Sequence, residues 1–382
     1  MKIGIPNEIS ADETRVAIIP DMVANLIKDG RHIFVESGAG LKASFSDEMF
    51  KKNGAEIVSD SKSLFKKSEL VVKFQAPRKN ETVGKHEIEM MNDGGMLICS
   101  LPPLAHAELI PMLNDKKNTC FAMEYIPRIT RAQSMDVLSS MATVAGYKAV
   151  LLAAHHLGRF FPLLMTAAGT IPPATVLVLG AGVAGLQAIA TAKRLGARVE
   201  AFDPRPAVKE QVESLGAHFV EMEMPEDAET AGGYAKEQSE AFLEKEREAI
   251  AAKLTKTDAL ISTAQIFGKE APLLVTTEMV KMMKPGSVVI DLAAAEGGNC
   301  ELSEPNKTLV KHDVTIYGAV NLAKLLPVHA SQMHSKNVIT LIKHLFQNDG
   351  LDFEDEITKG TCITHNGEII NEMVKKKFNE ES

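Results

Sequence analysis

Cysteine is scarce in this sequence. The 382-residue chain has four cysteines, Cys99, Cys120, Cys300 and Cys362, which stand far apart, and no two of them form a CxxC motif. Zinc sites and disulfide frameworks of small secreted domains need clustered or regularly spaced cysteines. We therefore expect no metal site and no disulfide framework, and a reducing compartment fits this cysteine content.

Positive charge is not in excess either. The chain has 42 lysines and arginines against 50 aspartates and glutamates, a net charge of −8. A protein that wraps a polyanion needs a basic surface, so we expect no nucleic-acid partner. Hydrophobic residues make up 45% and charged residues 24% of the chain, as in ordinary globular proteins, and the length suggests two domains.

Long hydrophobic runs are almost absent. One uncharged stretch, from Phe160 to Ala192, is long enough to cross a bilayer, but Gly169, Pro172 and Pro173 interrupt it. We interpret it as buried strand and helix. The first fifteen residues carry charge and a proline where a secretion signal needs an apolar core, so no leader is expected.

Short apolar runs alternate with segments of helical periodicity, which predicts βαβ units and mostly parallel sheets. The first series has MKIGI, HIFVES, LVVKF and MLICSL as strands, and the second has TVLVL, RVEAFD, HFVEM, DALISTA, SVVIDLA and VTIYGA. A long helix from Ala132 to about Met165 is predicted between them. We expect an N-terminal α/β domain of residues 1–137 plus a helical, polar tail, 322–382, and a second domain of residues 138–321.

A glycine pattern follows the strand TVLVL directly. Gly180, Gly182 and Gly185 stand between that strand and a helical segment, the context of a dinucleotide-binding turn. The first allows a tight turn, the second lets a pyrophosphate approach the helix N-terminus, and the third allows close packing. Asp203 ends the next strand, where a carboxylate binds ribose hydroxyls and repels a 2′-phosphate, so NAD is favoured over NADP. The alternative is a turn without nucleotide.

Several segments carry a more specific resemblance. They are PRITRAQSMDVLSS, MTAAGTIPPATVLVLGAGVAGLQAIATAKRLGA, KEQVESLGA, AETAGGYAKE, MKPGSVVIDLA and GGNCELSEP. Together they resemble the NAD(H)-binding domain I, or alpha subunit, of proton-translocating nicotinamide nucleotide transhydrogenase, over nearly the whole chain. The wider family includes alanine dehydrogenase. The resemblance implies an α/β fold of two Rossmann-like domains with parallel sheets, separated by a nucleotide-binding cleft.

Transhydrogenase and alanine dehydrogenase activity need different groups at the nicotinamide. A dehydrogenase needs a positioned acid or base near the nicotinamide, and Pro102 and Ala295 stand where alanine dehydrogenase has its histidine and carboxylate. His106 and Glu296 lie close enough to keep that alternative open. Arg15 and Lys73 resemble the substrate-carboxylate ligands of that enzyme. We favour a structural ion pair or a solvated strand end for them.

Transfer between two nicotinamides needs only close approach and orientation. Gln133, Asp136 and Ser139 or Ser140 are three or four residues apart, hence on one face if helical, and their polar groups suit a carboxamide. The alternative is that Thr130 and Gln133 form a capping box and that Asp136 is solvated. The resemblance implies that Arg128, Gln133, Asp136 and Ser139 are the catalytic residues.

The resemblance also implies the cofactor-binding set. These residues are Arg128, Ile129, Thr130, Arg131, Gly180, Gly182, Val183, Ala184, Gly185, Asp203, Pro204, Arg205, Gly233, Tyr234 and Gln265. The small-residue loop Ala228–Glu237 is expected to be a mobile flap over the nucleotide, or else a connection without function.

The expected function is that of the NAD(H)-binding subunit of a proton-translocating transhydrogenase. It would transfer hydride between its own NAD(H) and NADP(H) on a partner subunit, coupled to proton movement through a membrane channel subunit. We expect a homodimer at the inner face of the cytoplasmic membrane, held there by its partners. The alternatives are an alanine dehydrogenase and a non-catalytic NAD-sensing protein.

Overall fold

The computed structural model describes residues 1–102, 106–222, 240–266, 269–347 and 350–380. The chain divides into two compact units. The first comprises Met1–Met141 and Lys324–Ser382, and the second comprises Ala142–Ala323. The C-terminal tail therefore folds with the first unit.

Strands and helices alternate along much of the chain. The strands are β1 (Lys2–Ile5), β2 (His32–Glu36), β3 (Glu56–Val58), β4 (Leu70–Val72), β5 (Lys79–Asn80), β6 (Lys85–His86), β7 (Met96–Cys99), β8 (Thr119–Ala122), β9 (Leu164–Thr166), β10 (Gly169–Ile171), β11 (Thr175–Leu179), β12 (Arg198–Phe202), β13 (His218–Phe219), β14 (Ala259–Ser262), β15 (Val288–Asp291), β16 (Thr308–Lys311), β17 (Val314–Gly318), β18 (Cys362–His365) and β19 (Glu368–Ile369). The α-helices are α1 (Pro20–Lys28), α2 (Asp47–Lys52), α3 (Ser61–Lys67), α4 (Glu87–Met90), α5 (Leu109–Asp115), α6 (Val137–His156), α7 (Val183–Arg194), α8 (Lys209–Ser214), α9 (Glu240–Leu254), α10 (Thr277–Lys281), α11 (Pro327–Leu345), α12 (Glu356–Thr361) and α13 (Glu372–Glu380). Short 3-10 helices span Leu41–Ala43, Met123–Tyr125, Thr130–Met135, Pro206–Val208, Ala294–Glu296 and Leu322–Leu325.

The first unit is built on one sheet with the strand order β3-β2-β1-β4-β7-β8-β18-β19. The strands from β3 to β8 are parallel, whereas β18 and β19 run antiparallel to their neighbours. Both faces of the parallel part are covered, and Leu70, Val71 and Val72 on β4 are all buried. Burial of both faces explains why these strands are continuous apolar runs rather than alternating ones.

The C-terminal tail is not wholly helical, so that prediction was wrong. It contains the hairpin of β18 and β19, which extends the first sheet beyond β8. The two-residue turn is Asn366-Gly367, with φ angles of 51° and 88°. An Asn-Gly pair between apolar residues favours such a turn, because both positions need positive φ. The tail is not merely polar either, since α11 packs into the core of this unit through residues such as Val338 and Leu341.

The second unit has the strand order β13-β12-β11-β14-β15-β17-β16. All neighbours are parallel except the edge strand β16. Without β16, this is the 3-2-1-4-5-6 order of a Rossmann sheet. Separate apolar clusters cover its two faces, one including Ala188 and Ile189 of α7 and the other including Ile250 and Leu254 of α9. Both sheets thus confirm the predicted α/β class with parallel, Rossmann-like domains.

The region predicted as one helix from Ala132 to Met165 consists of three elements. A 3-10 helix, Thr130–Met135, precedes α6, and the hairpin β9–β10 follows it. Asp136 separates the two helices because its backbone is extended, with φ −69° and ψ 94°. By length and composition alone α6 is apolar enough to cross a membrane. The uncharged stretch 160–192 folds as the hairpin, β11 and most of α7, which confirms strand and helix. The predicted burial holds for β11 but was wrong for the hairpin, whose residues are mostly exposed.

Candidate functional site

The strand order of the second unit reverses between β12 and β14, on either side of β11. Ligands of open parallel sheets bind beyond the carboxyl ends of the strands at such a point. The glycine turn lies there, directly after β11, and is followed at once by α7. The sheet topology thus places the predicted dinucleotide-binding sequence where a Rossmann sheet forms its ligand site.

Two glycines of the turn are required by its geometry. Gly180 has a φ of 89°, and a Cβ atom there would lie 2.7 Å from Thr263 Oγ1. That hydroxyl donates hydrogen bonds to the carbonyl oxygens of Gly180, at 3.1 Å, and Leu179, at 3.3 Å. A Cβ atom on Gly185 would lie 1.8 Å from the Gly180 carbonyl oxygen. Only glycine at both positions lets α7 start this close to β11.

The start of α7 is open at the third glycine. Gly182 is the N-cap of the helix, and no heavy atom lies within 4 Å of its ideal Cβ position. The first hydrogen bond of the helix runs from Leu186 N–H to the Gly182 carbonyl, so the N–H groups of Val183, Ala184 and Gly185 precede it. Such N–H groups, with the positive end of the helix dipole, favour an anion.

Gly146, which the sequence analysis did not single out, also shapes this turn. It lies within α6, and a Cβ atom on it would be 2.1 Å from the Ala184 carbonyl oxygen. The backbone of α6 therefore passes directly over the first turn of α7. Gly146 could have been noticed in the sequence. Glycine inside a helix lowers helix stability by about 1 kcal/mol relative to alanine, and it often marks close packing.

Asp203 is buried at the end of β12 and its carboxylate is already hydrogen-bonded. It accepts from Ala181 N–H at 2.7 Å, from Arg205 N–H at 2.9 Å, and from the Arg205 guanidinium at 2.8 and 2.7 Å. The carboxylate thus ties the glycine turn to the end of the neighbouring strand. Asp203 was predicted to bind the ribose and Arg205 belongs to the implied cofactor-binding set, but their pairing with each other was not predicted.

A second buried carboxyl group, Glu246 on α9, lies near Asp203. Burial raises the pKa of Glu246 to about 7, and the negative charge of Asp203 adds to the increase. Glu246 was not among the residues predicted from the sequence. A glutamate flanked by apolar residues at helical spacing was the available signal, but which face α9 would bury depends on the sheet it packs against.

Gln265 and Glu296 meet beyond the carboxyl ends of β14 and β15. The Gln265 amide donates to Glu296 Oε2 and to the Leu292 carbonyl, both at 3.1 Å. Burial is the largest cause of the raised pKa of Glu296, and the hydrogen bond from Gln265 opposes it. Gln265, which the resemblance places in the cofactor-binding set, is thus hydrogen-bonded to the carboxyl group of Glu296, beside Ala295.

The segment GGNCELSEP holds the loops at this edge of the sheet. Asn299 is fully buried, donates to the carbonyls of Ala264 and Pro272 at 2.9 Å, and accepts from Ala264 N–H at 3.0 Å. Asp291 accepts hydrogen bonds from the Ser262 hydroxyl and the Cys300 N–H, both at 3.0 Å. These two residues fix the backbone next to Gln265. Sequence reasoning noted the segment only for its resemblance.

In the first unit, the predicted nicotinamide segment begins as a 3-10 helix. Ala132 and Met135 are buried in the core, while Gln133 is exposed. The Asp136 carboxylate accepts from Ser139 N–H at 2.9 Å and from the Ser139 hydroxyl at 2.6 Å, and so caps α6. Because the helix type changes at Asp136, the predicted single helical face does not form.

The alternative interpretation of this segment also fails. The 3-10 helix has Ile129 as its N-cap and no side-chain capping bond, so Thr130 and Gln133 do not form the expected capping box. Arg131 pairs with Asp355 at 2.6 Å and with Glu356 at 3.3 Å. Arg128 and Thr130 are exposed, and Ile129 is half-buried. Gly233 and Tyr234, with the loop Ala228–Glu237, lie outside the described residues.

Arg15 and Lys73 form buried ion pairs, as the sequence analysis favoured. The Arg15 guanidinium binds the Glu13 carboxylate at 2.6 and 2.7 Å and stacks 3.8 Å from the centre of the Phe74 ring. Lys73 Nζ lies 2.6 Å from Glu87 Oε1 and 3.5 Å from Glu8 Oε2. Burial by itself would lower the pKa of Lys73, but the two carboxylates raise it.

Pro102 and Ala295 were expected at the positions of the histidine and carboxylate of alanine dehydrogenase, and neither side chain can serve as an acid or base. Pro102 has no titratable group, and His106 lies 3.5 Å from Glu108. The sequence analysis missed Glu124, which accepts hydrogen bonds from Leu101 N–H, at 3.0 Å, and from Ser100 Oγ. Burial raises its pKa to about 7. Among the described residues, no three His, Cys, Asp or Glu side chains form a group that could hold a metal ion.

Known proteins match both units. Residues 4–145 match the alanine dehydrogenase/PNT N-terminal domain, and residues 149–372 match the C-terminal domain of the same family. A relative from Rhodospirillum rubrum, the first part of its NAD(P) transhydrogenase subunit alpha, is 48% identical over 376 residues, covering 97% of this chain and 98% of the relative.

Solved structures agree with these sequence matches. A transhydrogenase from Sinorhizobium meliloti superposes with a TM-score of 0.87 at 41% identity, covering 97% of this chain and all of that one. An L-alanine dehydrogenase gives a TM-score of 0.82 at 26% identity, covering both chains completely. With both family domains, the glycine turn at the reversal of the second sheet and relatives matched over nearly their full length, the chain belongs to the alanine dehydrogenase/PNT family.

Proposed function

We propose that this chain is the NAD(H)-binding subunit of a proton-translocating NAD(P) transhydrogenase of the Re/Si-specific type. The observation that carries the proposal is the glycine turn between β11 and α7, with Asp203 bonded to Ala181 inside it. Similarity to transhydrogenase alpha subunits along the whole chain supports the choice of enzyme. NADP(H) would be bound by a partner subunit, and protons would move through a membrane channel subunit.

The residues of the second unit suit a dinucleotide. The open approach at Gly182 and the first N–H groups of α7 favour the pyrophosphate. Asp203 is suited to the adenosine ribose, with Pro204 and Arg205 beside it and Gln265 on the loop after β14. Gly233 and Tyr234 complete the proposed set.

The first unit would supply the nicotinamide contacts through Arg128, Ile129, Thr130, Arg131, Gln133, Asp136 and Ser139. Bound NADH supplies a hydride from C4 of its nicotinamide ring. The side chains need only hold and orient the ring, because hydride transfer between two nicotinamides requires no acid or base. The capped start of α6 gives this segment a defined backbone, through the pair of Asp136 and Ser139.

Coupling to a membrane potential makes energetic sense for such a subunit. The two nicotinamide couples are nearly isoenergetic, so a potential worth about 2.3 kcal/mol per charge per 100 mV drives the reaction strongly in one direction. The chain would sit peripherally on the cytoplasmic face through its partner subunits.

We also propose a homodimer. The segment before and within the hairpin β9–β10 exposes large apolar side chains: Phe160 is 55%, Leu163 is 53% and Met165 is 77% exposed. Several exposed apolar side chains within one short segment are typical of a protein contact surface. Sedimentation of the chain, compared with that of a Met165→Lys variant, tests this proposal.

Rapid mixing of the NADH-loaded chain with an NADP-loaded partner module of a transhydrogenase tests the function directly. We expect hydride transfer between the bound nucleotides. If the chain instead oxidises L-alanine with NAD in the absence of a partner, it is an alanine dehydrogenase. If it binds NADH but supports neither reaction, it is an NAD-binding protein without catalysis.

A further inference from the structure

The proposed nicotinamide segment packs against the C-terminal tail of the same unit. Ala132 and Met135, on the inner side of the 3-10 helix, share one apolar cluster with Val338 and Leu341 of α11. The outer side of the 3-10 helix carries Gln133, which is exposed. The position of Gln133 therefore depends on what fixes the backbone on either side of it.

Asn337 fixes the backbone directly after Gln133. This residue of α11 is buried, and its side-chain amide donates to the Ser134 carbonyl at 2.8 Å, across 203 residues of sequence. Its Oδ1 atom is buried without a hydrogen-bond partner. The Asn337 amide therefore ties α11 to the backbone next to Gln133.

Asp355 holds the side chain of Arg131, two residues before Gln133. One of its carboxylate oxygens pairs with Arg131 at 2.6 Å, and the other accepts from His344 at 2.9 Å and from Ile357 N–H at 2.8 Å. Asp355 thus joins Arg131 to α11 and to the first turn of α12. Burial would raise the pKa of Asp355, but its hydrogen bonds from His344 and Arg131 lower it to about 2, so it is ionised at neutral pH.

We propose that Asn337 and Asp355 are positioning residues for hydride transfer. They hold the Thr130–Met135 helix at both sides of Gln133 and so fix the ring-orienting side chains, without contacting nucleotide themselves. The inference rests on the proposed function. Its physical basis is that a displacement of about 1 Å at a reacting centre costs roughly 10²-fold in rate, whereas overall affinity is set by many other contacts.

Two variants test the inference in the full-length chain. Asn337→Leu conserves approximate size, removes the amide donor and also removes the unpartnered oxygen, so the fold is expected to survive. Asp355→Asn keeps an acceptor that caps α12 but removes the charge that holds Arg131. Lys336→Ala, on the exposed neighbour of Asn337, and Glu354→Gln, next to Asp355, are the matched controls.

Single-turnover transfer to an NADP-loaded partner module and calorimetric NADH affinity are measured for each variant. We expect Asn337→Leu to slow transfer about 10- to 100-fold, and Asp355→Asn to slow it less because Glu356 still contacts Arg131. NADH affinity changes less than about threefold in both, since the pyrophosphate and ribose contacts are untouched. The controls keep the rate and affinity of the unmodified chain.

Transfer rates within twofold of the unmodified chain in both variants would overturn the inference, as would losses of affinity equal to the losses of rate. If Asn337→Leu does not fold, Asp355→Asn decides alone. If the unmodified chain itself supports no transfer, the proposed function fails and the positioning role fails with it. The two failures are thereby distinguished.

Discussion

The guanidinium of Arg205 forms a two-point ion pair with the buried carboxylate of Asp203, with nitrogen to oxygen distances of 2.8 and 2.7 Å. The carboxylate that would repel a 2′-phosphate therefore also neutralises Arg205, a cation that would attract one. We therefore expect cofactor choice to depend on the pair rather than on Asp203 alone.

The first prediction concerns this pair. The unmodified chain binds NADH in preference to NADPH, and Asp203→Ala erodes the preference because it removes a repelling charge and releases Arg205. In the double variant Asp203→Ala, Arg205→Ala, the affinity for NADPH falls again. Calorimetry with both nucleotides measures these affinities, and equal affinities in the unmodified chain would remove the basis for assigning NAD.

The second prediction uses two glycines of one turn. Gly185→Ala destabilises the fold by about 1–3 kcal/mol or more, because overpacking forces the backbone apart. Gly182→Ala leaves stability nearly unchanged, since its Cβ atom enters open space, but it weakens NADH binding. Urea unfolding and calorimetry separate the two effects. A stable Gly185→Ala variant would contradict the packing seen at the Gly180 carbonyl.

The third prediction concerns the alternative activity. The chain does not oxidise L-alanine or aminate pyruvate, because Pro102 and Ala295 stand where a proton-transferring group is needed. The assay follows NADH absorbance, with a known alanine dehydrogenase as the positive control. Turnover above the enzyme-free rate would mean that His106 or Glu296 serves instead, and variants of these two residues would then identify which.

The fourth prediction addresses the proposed nicotinamide segment. Gln133→Asn and Asp136→Asn slow hydride transfer to an NADP-loaded partner far more than they weaken NADH binding. Asn is also a good N-cap, so Asp136→Asn lowers the free energy of unfolding by less than about 1 kcal/mol. Ser134→Ala, which keeps the carbonyl that Asn337 binds, is the control. Unchanged transfer rates would mean that the segment is only structural.

The fifth prediction is a pH dependence. The pKa of Glu246 is raised to about 7, so the folded chain binds this proton more tightly than the unfolded chain, and stability falls as the pH rises from about 4.5 to 7. At 1.36 kcal/mol per pKa unit the loss is about 3 kcal/mol. Glu246→Gln removes the contribution of Glu246 to this loss, so the variant is more stable than the unmodified chain at pH 8 by a larger margin than at pH 5, whereas exposed Glu248→Gln is not. Urea unfolding at both pH values measures the difference.

Local sequence was sufficient for most of the parallel strands of both sheets, but the hairpins β9–β10 and β18–β19 were not predicted. Apolar runs such as TVLVL are continuous because parallel strands are buried on both faces, so they are visible without a structure. Helix α1 was equally visible, with Pro20 at its first turn and Lys28 at its last. The break between the helices at Asp136 was not visible in the sequence, because the helical periodicity continues through this residue although its backbone is extended.

The sequence by itself thus determined the α/β class and the glycine turn, because turn chemistry and strand burial are set by residues close together in the chain. Tertiary structure alone decided that Gly146 lies against Ala184, that Arg205 forms an ion pair with Asp203, and that Asn337 donates a hydrogen bond to the Ser134 carbonyl. The first and last of these join residues far apart in sequence. Such contacts exist only after the helices have packed, so their hydrogen bonds and close approaches depend on the packing geometry and leave no periodic pattern in the sequence.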